Sequence, residues 1–399
     1  MSRSLKIAHL ADLHLGFRQY DRQTPKGGNQ READVAQAFA RAVDDLLDQH
    51  PDLVVIAGDI FHSVRPTNPA ILFLFQQLQR LRVGLPETPL VLVAGDHDTP
   101  RTSETGSILK LYEAVGAEVV IDVARRLEFP KLDCAVLAVP HQALVSPERP
   151  ALRPERGGPK YNVLVTHGQY PDLGEARGTM DFGGAPLSLD DLAPTAWDYI
   201  ALGHFHVMHA VAENARYAGS LEYLPPNPWG QLQDQIERGV KGKGYLLVEL
   251  GRRLRVTERL VTPARQHLEL EPIRAAGLTA KQIDELIAAA VKQSKPAIDH
   301  NVVRLLAWDV ARATAHDLDH QAIRGYKARA LHFQLDIRRP QPGYRVGLGA
   351  PARRQTLPET VRDFLSRRLL DADIPRDDFV RTGVAYVEQA GQVEDEGKS

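Results

Sequence analysis

The sequence predicts a layered α/β domain followed by a small α+β unit. Short apolar, largely β-branched runs alternate with helical patterns early in the chain, and strands then dominate from residue 134 to residue 261. That order indicates a layered domain rather than a pure doubly wound sheet. Near residue 265 the texture changes again, to helix and strand patterns of a separate, smaller unit.

Leu5 to Leu10 reads as the first strand, with Asp12 and His14 at its end. A polar, glycine-bearing loop follows from residue 16 to about residue 30. Val35, Phe39, Val43, Leu46 and Leu47 then repeat at helical spacing. Leu53 to Ala57 is the second strand and runs into Gly58-Asp59. Asn68 is expected to cap the next helix, with Pro69 at its first position. Ile71, Leu72, Leu74, Phe75, Leu78 and Leu81 form its apolar stripe. Leu90 to Ala94 is the third strand and delivers Gly95-Asp96-His97-Asp98. A short helix is expected over 107–115, and strands over 134–139, 162–166 and 198–202. A hairpin joins 244–250 to 254–261 through Gly251-Arg-Arg. In open α/β sheets the functional edge lies where the strands end, so the polar residues at those ends are the candidates for chemistry.

The second unit, 266–340, opens with a capping box, Thr279-x-x-Gln282, and a helix carrying Ile283, Leu286, Ile287 and Val291. Two strands follow, at 302–310 and 330–337. After the Arg338-Arg-Pro-Gln-Pro-Gly343 break, Thr356-x-x-Glu359 opens an amphipathic helix with Val361, Phe364, Leu365 and Leu369. Residues 341–399 are read as a C-terminal helical segment and tail.

Composition excludes several classes. With 43% hydrophobic and 25% charged residues among 399, the chain is an ordinary globular one, long enough for a large core and smaller appendages. Its 49 basic and 51 acidic residues nearly cancel, so a nucleic-acid partner would have to be met by a local basic rim. The lone Cys134 sits in an apolar run, which rules out a disulfide and a thiolate metal cluster. The N-terminus is broken by charge too early for a signal peptide, and no apolar run approaches the ~20 residues of a membrane span. A cytoplasmic, nucleoid-associated location is the expectation.

Five strand ends carry Asp or His: Asp12 and His14, Asp59, Asp96, His167, and His204 with His206. Three carboxylates and four imidazoles are enough for two divalent ions and too many for one. Nitrogen and oxygen donors without sulfur suit manganese, iron or zinc and argue against calcium. On an extended segment, Asp-x-His and His-x-His send both polar side chains to one face, and Phe205 then turns into packing. His9, His50, His209, His267, His300, His316, His320 and His332 fit no such pattern and are read as structural or solvated; His141 leans the same way.

The order Asp-x-His, Gly-Asp, Gly-Asp-His-Asp, His-Gly, Gly-His-x-His resembles that of the calcineurin-like metallophosphoesterases. The chain is most similar to the SbcD-type DNA repair exonucleases, bacterial relatives of the meiotic recombination eleven nuclease. The residues that carry this are 11–20, Arg31-Glu32-x-Asp34, 57–62, 95–100, 199–206, 218–222 and 243–249. The resemblance spans roughly residues 5–265 and beyond that is one of layout. It implies a β-sandwich metallophosphoesterase domain flanked by helices over 1–265, with 266–340 as a DNA-capping α+β domain. It also implies two divalent ions, with Mn2+ the expected metal. One is held by Asp12, His14, Asp59 and His206, the other by Asp59, Asp96, His167 and His204. His97 matches a histidine that stabilises the transition state or protonates the leaving oxygen, and His62 a supporting histidine. Asp98 is expected to orient His97 through a carboxylate–imidazole bond. The family's usual residue at position 96 is Asn; Asp96 adds a negative charge, which implies tighter ion holding and a less acidified water.

The implied activity is a double-strand exonuclease and single-strand endonuclease acting on DNA ends without sequence preference. It would work with an SbcC-like coiled-coil ATPase and as a homodimer. Arg18, Arg22, Lys26, Arg31, Arg65 and Arg101 form the candidate basic rim. The helix near 356–370 either docks the ATPase or packs on its own chain. Two other readings remain open at this point: a phosphoesterase acting on a small phosphodiester or phosphoprotein, and a weakly catalytic DNA-end scaffold, for which Asp96 is the supporting feature.

Overall fold

The computed structural model describes residues 4–100, 106–171, 184–225, 227–340, 356–366 and 375–396, with side chains in the last segment described to residue 387. The chain divides into two units, Met1–Pro340 and Gln341–Ser399.

The first half of unit one alternates strand and helix: β1 (Leu5–Leu10), α1 (Gln30–Gln49), β2 (Leu53–Ala57), α2 (Asn68–Gly84), β3 (Leu90–Val93) and β4 (Glu118–Val120). Next come β5 (Arg125–Phe129), β6 (Cys134–Val139), α3 (His141–Val145), β7 (Tyr161–His167), α4 (Leu189–Leu192), β8 (Tyr199–Gly203), β9 (His209–Ala212) and β10 (Ala215–Tyr217). α5 (Pro228–Arg238), β11 (Gly244–Leu250) and β12 (Arg255–Leu260) close the two-sheet body. One six-stranded sheet runs β12-β11-β1-β2-β3-β4 and the other β5-β6-β7-β8-β10-β9.

Period-two alternation explains how the sheets stack. Leu5, Ile7, Leu53, Val55, Val91 and Val93 share one buried cluster with Val136, Val163, Val165, Tyr199 and Ala201 of the other sheet. The residues between them, Ala8, Leu10, Val54, Ile56, Leu90 and Leu92, face outward into a second cluster with Val35, Phe39 and Val43 of α1 and Leu74 and Leu78 of α2. Leu164, Ile200 and Leu202 face the opposite way, toward Leu144, Leu192 and Trp197. Strands buried on both faces read as continuous apolar runs, which is why they are visible in the sequence. The result is the layered sandwich flanked by helices that the sequence implied.

One local expectation is corrected. Thr67, not Asn68, is the N-cap of α2: its hydroxyl accepts from the Ala70 N–H, while Asn68 already lies inside the helix. The short helix expected near 107–115 is a 3₁₀ helix, Ile108–Val115, capped by Ser107.

Beyond residue 265, β13 (His267–Arg274), α6 (Ala280–Gln293), β14 (Val302–Trp308), α7 (Arg312–His316), α8 (His320–Arg329) and β15 (His332–Ile337) follow. The three strands form one parallel sheet, β13-β14-β15, and β13 is a third strand where the sequence reading expected two. Thr279 and Gln282 make the reciprocal capping box at the start of α6, and Ile283, Ile287 and Val291 pack against Val303 and Leu305. The loop after β1 is tied to this sheet. Tyr20 stacks on His332 at 4.0 Å. The Arg22 guanidinium donates to the carbonyls of Lys327, Ala328 and Ala330 at 2.9, 2.6 and 3.3 Å, where α8 ends and its carbonyls lack helical partners.

In unit two, α9 (Leu357–Ser366) and α10 (Arg376–Glu396) pack together, with Leu365 against Gly383. Leu357, Phe364 and Tyr386 are exposed. No described helix is long and apolar enough to cross a membrane.

Candidate metal centre

The carboxyl ends of β1, β2, β3, β7 and β8 converge on one site. The turns after β1 and β2 run side by side, bonded Asp12 N–H to Gly58 O (3.0 Å), His14 N–H to Asp59 O (2.9 Å) and Leu15 N–H to Ile60 O (2.9 Å). Asp12, His14 and Asp59 have φ of 52°, 47° and 51°, and His204 has 106°. Four non-glycine residues at positive φ therefore sit in one site, each costing roughly 1–3 kcal/mol of backbone strain. The extended geometry expected of Asp12-x-His14 is thus corrected: the side chains converge through left-handed turns, not strand alternation. Phe205 does pack away from the site, among Leu202, Val207 and Tyr217. Two glycines are required by close approach. A Cβ on Gly58 would overlap the His167 ring, and one on Gly95 would overlap Asp59.

All seven residues expected at strand ends lie together. Ligand atoms of Asp12, His14 and His206 fall within 4.8 Å of one another, as do those of Asp96, His167 and His204, and those of Asp12, Asp59 and His167. Asp59 lies between the two sides, its Oδ2 3.4 Å from His14 Nε2 and 3.5 Å from His167 Nε2. His204 Nδ1 and His167 Nε2 approach Asp96 Oδ1 at 3.3 and 2.9 Å. Asp12 Oδ1 accepts from the His204 N–H at 2.9 Å.

The electrostatics fit bound cations. His167 Nδ1 donates to the Ala57 carbonyl (2.8 Å), so the lone pair of a neutral ring sits on Nε2 and faces Asp59 and Asp96. Burial opposes its protonation, but the two carboxylates override it and hold the imidazole well above its ordinary range. Burial against His206, His97 and His62 pushes His14 well down, and burial beside Lys243 does the same to His206, so both are neutral rings able to ligate. Burial raises Asp12 to about 7, opposed by His167. Burial also acts to raise Asp96, but hydrogen bonds from His167 and His204 hold it well below the carboxylate range. Asp12 Oδ2 and His204 Nε2 are buried without a hydrogen-bond partner. Buried polar atoms are rarely left so, and a divalent ion would satisfy the Asp12 oxygen, while His204 meets the cluster through Nδ1. The donor set therefore fits divalent cations of the manganese, iron or zinc type.

His62, His97 and Asp98 border this cluster. His97 Nδ1 donates to the His62 carbonyl at 2.8 Å, leaving Nε2 4.0 Å from Asp96 Oδ2. The His62 and His97 rings stack at 5.2 Å, and His62 Nδ1 lies 3.2 Å from His14 Nδ1. Asp98 does not hold the His97 ring as expected. Its carboxylate accepts the N–H groups of Ile60 (2.9 Å), Phe61 (2.9 Å) and Gly95 (3.1 Å), pinning the Asp59 turn to the turn after β3. His141 is buried nearby, its N–H bonded to Ala94 O. It joins none of the ligand-distance groups among the described residues.

The basic rim is only partly a rim. Arg31 is fully buried, donating to Asp34, Glu222 and the Tyr223 carbonyl, and is withdrawn as a phosphate contact. Arg22 is exposed but engaged with the end of α8. Arg18 pairs with Glu32 at 2.6 Å, and Lys26 and Arg65 are exposed. Arg101 lies outside the described residues. Sequence reasoning missed Gln231 on α5, which reaches His206, and gave no role to Lys243, which also touches it. Asn227-Pro228, a cap followed by proline at the first helical position, and polar residues at 231, 234 and 235 were the available signal.

A family model described as calcineurin-like phosphoesterase matches residues 5–208. Among curated proteins, the chain is similar to the DNA double-strand break repair protein Mre11 of Sulfurisphaera tokodaii, 29% identical over 257 residues, covering 61% of this chain and 59% of that protein. Proteins of the same name from Saccharolobus solfataricus (25% over 319 residues, 75% of each chain) and Sulfolobus acidocaldarius (25% over 301 residues, 73% of this chain and 71% of that one) are also similar. The match thus spans a little under two thirds of the first of these relatives and more of the other two.

Proposed function

Because the chain belongs to the calcineurin-like phosphoesterase family, we propose that it is a two-metal, manganese-dependent DNA nuclease of the SbcD type that processes DNA ends. The observation that carries this is the convergence of six Asp and His side chains around Asp59, among them the buried Asp12 Oδ2, which has no hydrogen-bond partner. Similarity to repair proteins over 319 residues extends past the catalytic match and favours DNA over a small phosphodiester.

In this reading Asp12, His14, Asp59 and His206 would hold one ion, and Asp59, Asp96, His167 and His204 would hold the other. Divalent ions bound there supply Lewis acidity toward a phosphate oxygen and lower the pKa of the attacking water. The chain's own groups do the rest. His97, its Nδ1–H committed to the His62 carbonyl, presents Nε2 to the cleft, where it donates a proton or hydrogen bond to the leaving oxygen. His62 fixes that ring by stacking and through its carbonyl. Asp98 acts at one remove, by holding the turn that carries Asp59. Arg18, Lys26 and Arg65 are the remaining described candidates for backbone phosphates, contacts that carry no sequence preference. Residues 266–340 cap the DNA. The exposed Leu357 and Phe364 on α9 dock an SbcC-like coiled-coil ATPase, and the nuclease domain forms the homodimer.

The test is cleavage of linear duplex and single-stranded DNA with Mn2+, alone and with the ATPase, using Asp59→Asn as the inactive control. Cleavage abolished by that substitution is expected. No cleavage of either DNA, or cleavage of a small phosphodiester only, would overturn the nuclease reading.

A further inference from the structure

One buried charge in the site has no part in the chemistry above. Lys243, 2% exposed, lies just before β11, and its ammonium reaches the floor of the centre beneath His206. Nζ donates to the His206 carbonyl at 2.7 Å, to Ser220 Oγ at 3.0 Å and to Gln231 Oε1 at 2.7 Å, using all three of its protons. The Gln231 amide nitrogen is in turn 2.6 Å from the Leu224 carbonyl and 3.2 Å from His206 Nδ1. The His206 carbonyl also accepts the Ser220 N–H at 3.1 Å. The main chain of His206 is therefore gripped from below, while its Nε2 faces His14 Nε2 at 3.2 Å.

A cation buried beside a cation-binding centre is electrostatically the wrong sign: it repels the ions the centre has to hold. Its desolvation is costly as well, and is offset by three hydrogen-bond acceptors and by the carboxylates of Glu222, Asp12 and Asp234. The arrangement makes physical sense if the ammonium supplies something that an apolar side chain would not. The turn it grips contains His204 at φ 106° and delivers two of the ligands. A strained turn keeps its geometry only when its surroundings hold it there.

We infer that Lys243 is a positioning residue that fixes the backbone of His206 for the ion shared with Asp12 and His14. The inference rests on the two-metal reading above and adds the element that orders one of its ligands. It also separates two opposite outcomes. If Lys243 acted only through its charge, removing that charge would tighten ion binding. If it positions His206, removing it weakens binding at that one side.

Lys243→Met keeps the length of the stem and removes the donors. Titrating the full chain with Mn2+ by calorimetry, with manganese electron paramagnetic resonance to count bound ions, is expected to show two ions on the wild-type protein. On the variant, one of the two is expected to weaken by roughly 10- to 100-fold, the usual effect of losing a partner that orients a ligand. Ser220→Ala, which leaves the charge in place and removes the hydroxyl that joins Nζ to the His206 carbonyl, is expected to weaken the same ion in the same direction. Unfolding in the presence of a chelator reports whether either variant has lost fold stability, and if Lys243→Met does not fold, Ser220→Ala carries the test. Wild-type protein that takes up no Mn2+ would overturn the two-metal reading itself. Wild-type protein with two ions beside a variant that binds both as tightly, or more tightly, would overturn the positioning role alone.

Discussion

Arg31→Met separates a structural arginine from a DNA contact. The Arg31 side chain is 0% exposed; Nη1 lies 3.3 Å from Asp34 Oδ2 and 3.4 Å from Glu222 Oε2, and Nη2 donates to the Tyr223 carbonyl at 2.9 Å. Methionine fills much of the same volume but strands two buried carboxylates and a carbonyl. Losing one partner of a buried ion pair costs about 3–5 kcal/mol. The lower end applies here, for two reasons. Asp34 keeps Arg265 at 2.9 Å and the Gln30 amide at 2.9 Å. Glu222, whose carboxyl burial already pushes up, can take a proton. A loss of about 3 kcal/mol in unfolding free energy is therefore expected from urea denaturation. Combined with Glu222→Gln, the loss should be less than additive, with a coupling of about 0.5–3 kcal/mol. DNA affinity, measured by fluorescence anisotropy where both proteins are folded, should be unchanged. An unaltered denaturation midpoint together with weakened DNA binding would refute the argument and return Arg31 to the phosphate rim.

Three further outcomes follow from the same geometry. His97→Leu should keep Mn2+ binding by calorimetry yet lose DNA cleavage by about 100-fold or more, the usual range for a general acid; loss of the ions as well would make His97 a ligand. Asp96→Asn should hold Mn2+ more weakly, because one carboxylate charge is gone, while cleavage at saturating Mn2+ stays equal or rises; a marked drop in cleavage would give Asp96 a role of its own. His9 is fully buried, its Nδ1 bonded to the Tyr199 hydroxyl at 2.9 Å, and burial lowers it from 6.5 to about 3. Between those values the unfolded chain binds a proton that the folded chain refuses, so stability falls as pH drops through 6.5 toward 3. The share of His9 is on the order of 4–5 kcal/mol, and chelator-treated His9→Asn should show a flatter acid limb than wild type in pH-dependent denaturation.

What the sequence reveals and what it conceals divide along a physical line. β1, β2, β3, β7 and β8 are legible because each is covered on both faces, so each reads as a short apolar run stopped abruptly by Asp, His or Gly. The ligand positions are legible for the same reason, since a polar residue at the end of a buried strand is local information. Arg31 is not legible: Glu222, its partner, is 191 residues away, and without that partner a charged helix residue reads as solvated surface. Gln231 and Lys243 are hidden likewise, because what defines them is contact with a histidine 25 and 37 residues distant. Thr67 and Asn68 are both good capping residues, and propensity alone does not choose between neighbours.

The least legible feature is also the one that makes the site. A pleated strand would splay Asp12 and His14 along one face; left-handed φ at both, and at Asp59, folds the turns inward instead. Asp98 closes this construction by accepting three backbone N–H groups from two turns, so a single carboxylate holds the Asp59 turn against the turn after β3. Gly58 and Gly95 let those turns approach until His167 and Asp59 occupy the space a side chain would need. The strain therefore has no local remedy. It is sustained by two six-stranded sheets whose shared core fixes where all five strands end. On this argument, loosening the sandwich away from the site should degrade ion binding before it unfolds the chain. Shortening Val55 or Val163, both 0% exposed at the sheet–sheet contact, to alanine tests it. Each should cost roughly 2–3 kcal/mol of stability and weaken Mn2+ binding while the protein is still fully folded. Ion affinity that stays constant until global unfolding would show that the turns hold themselves.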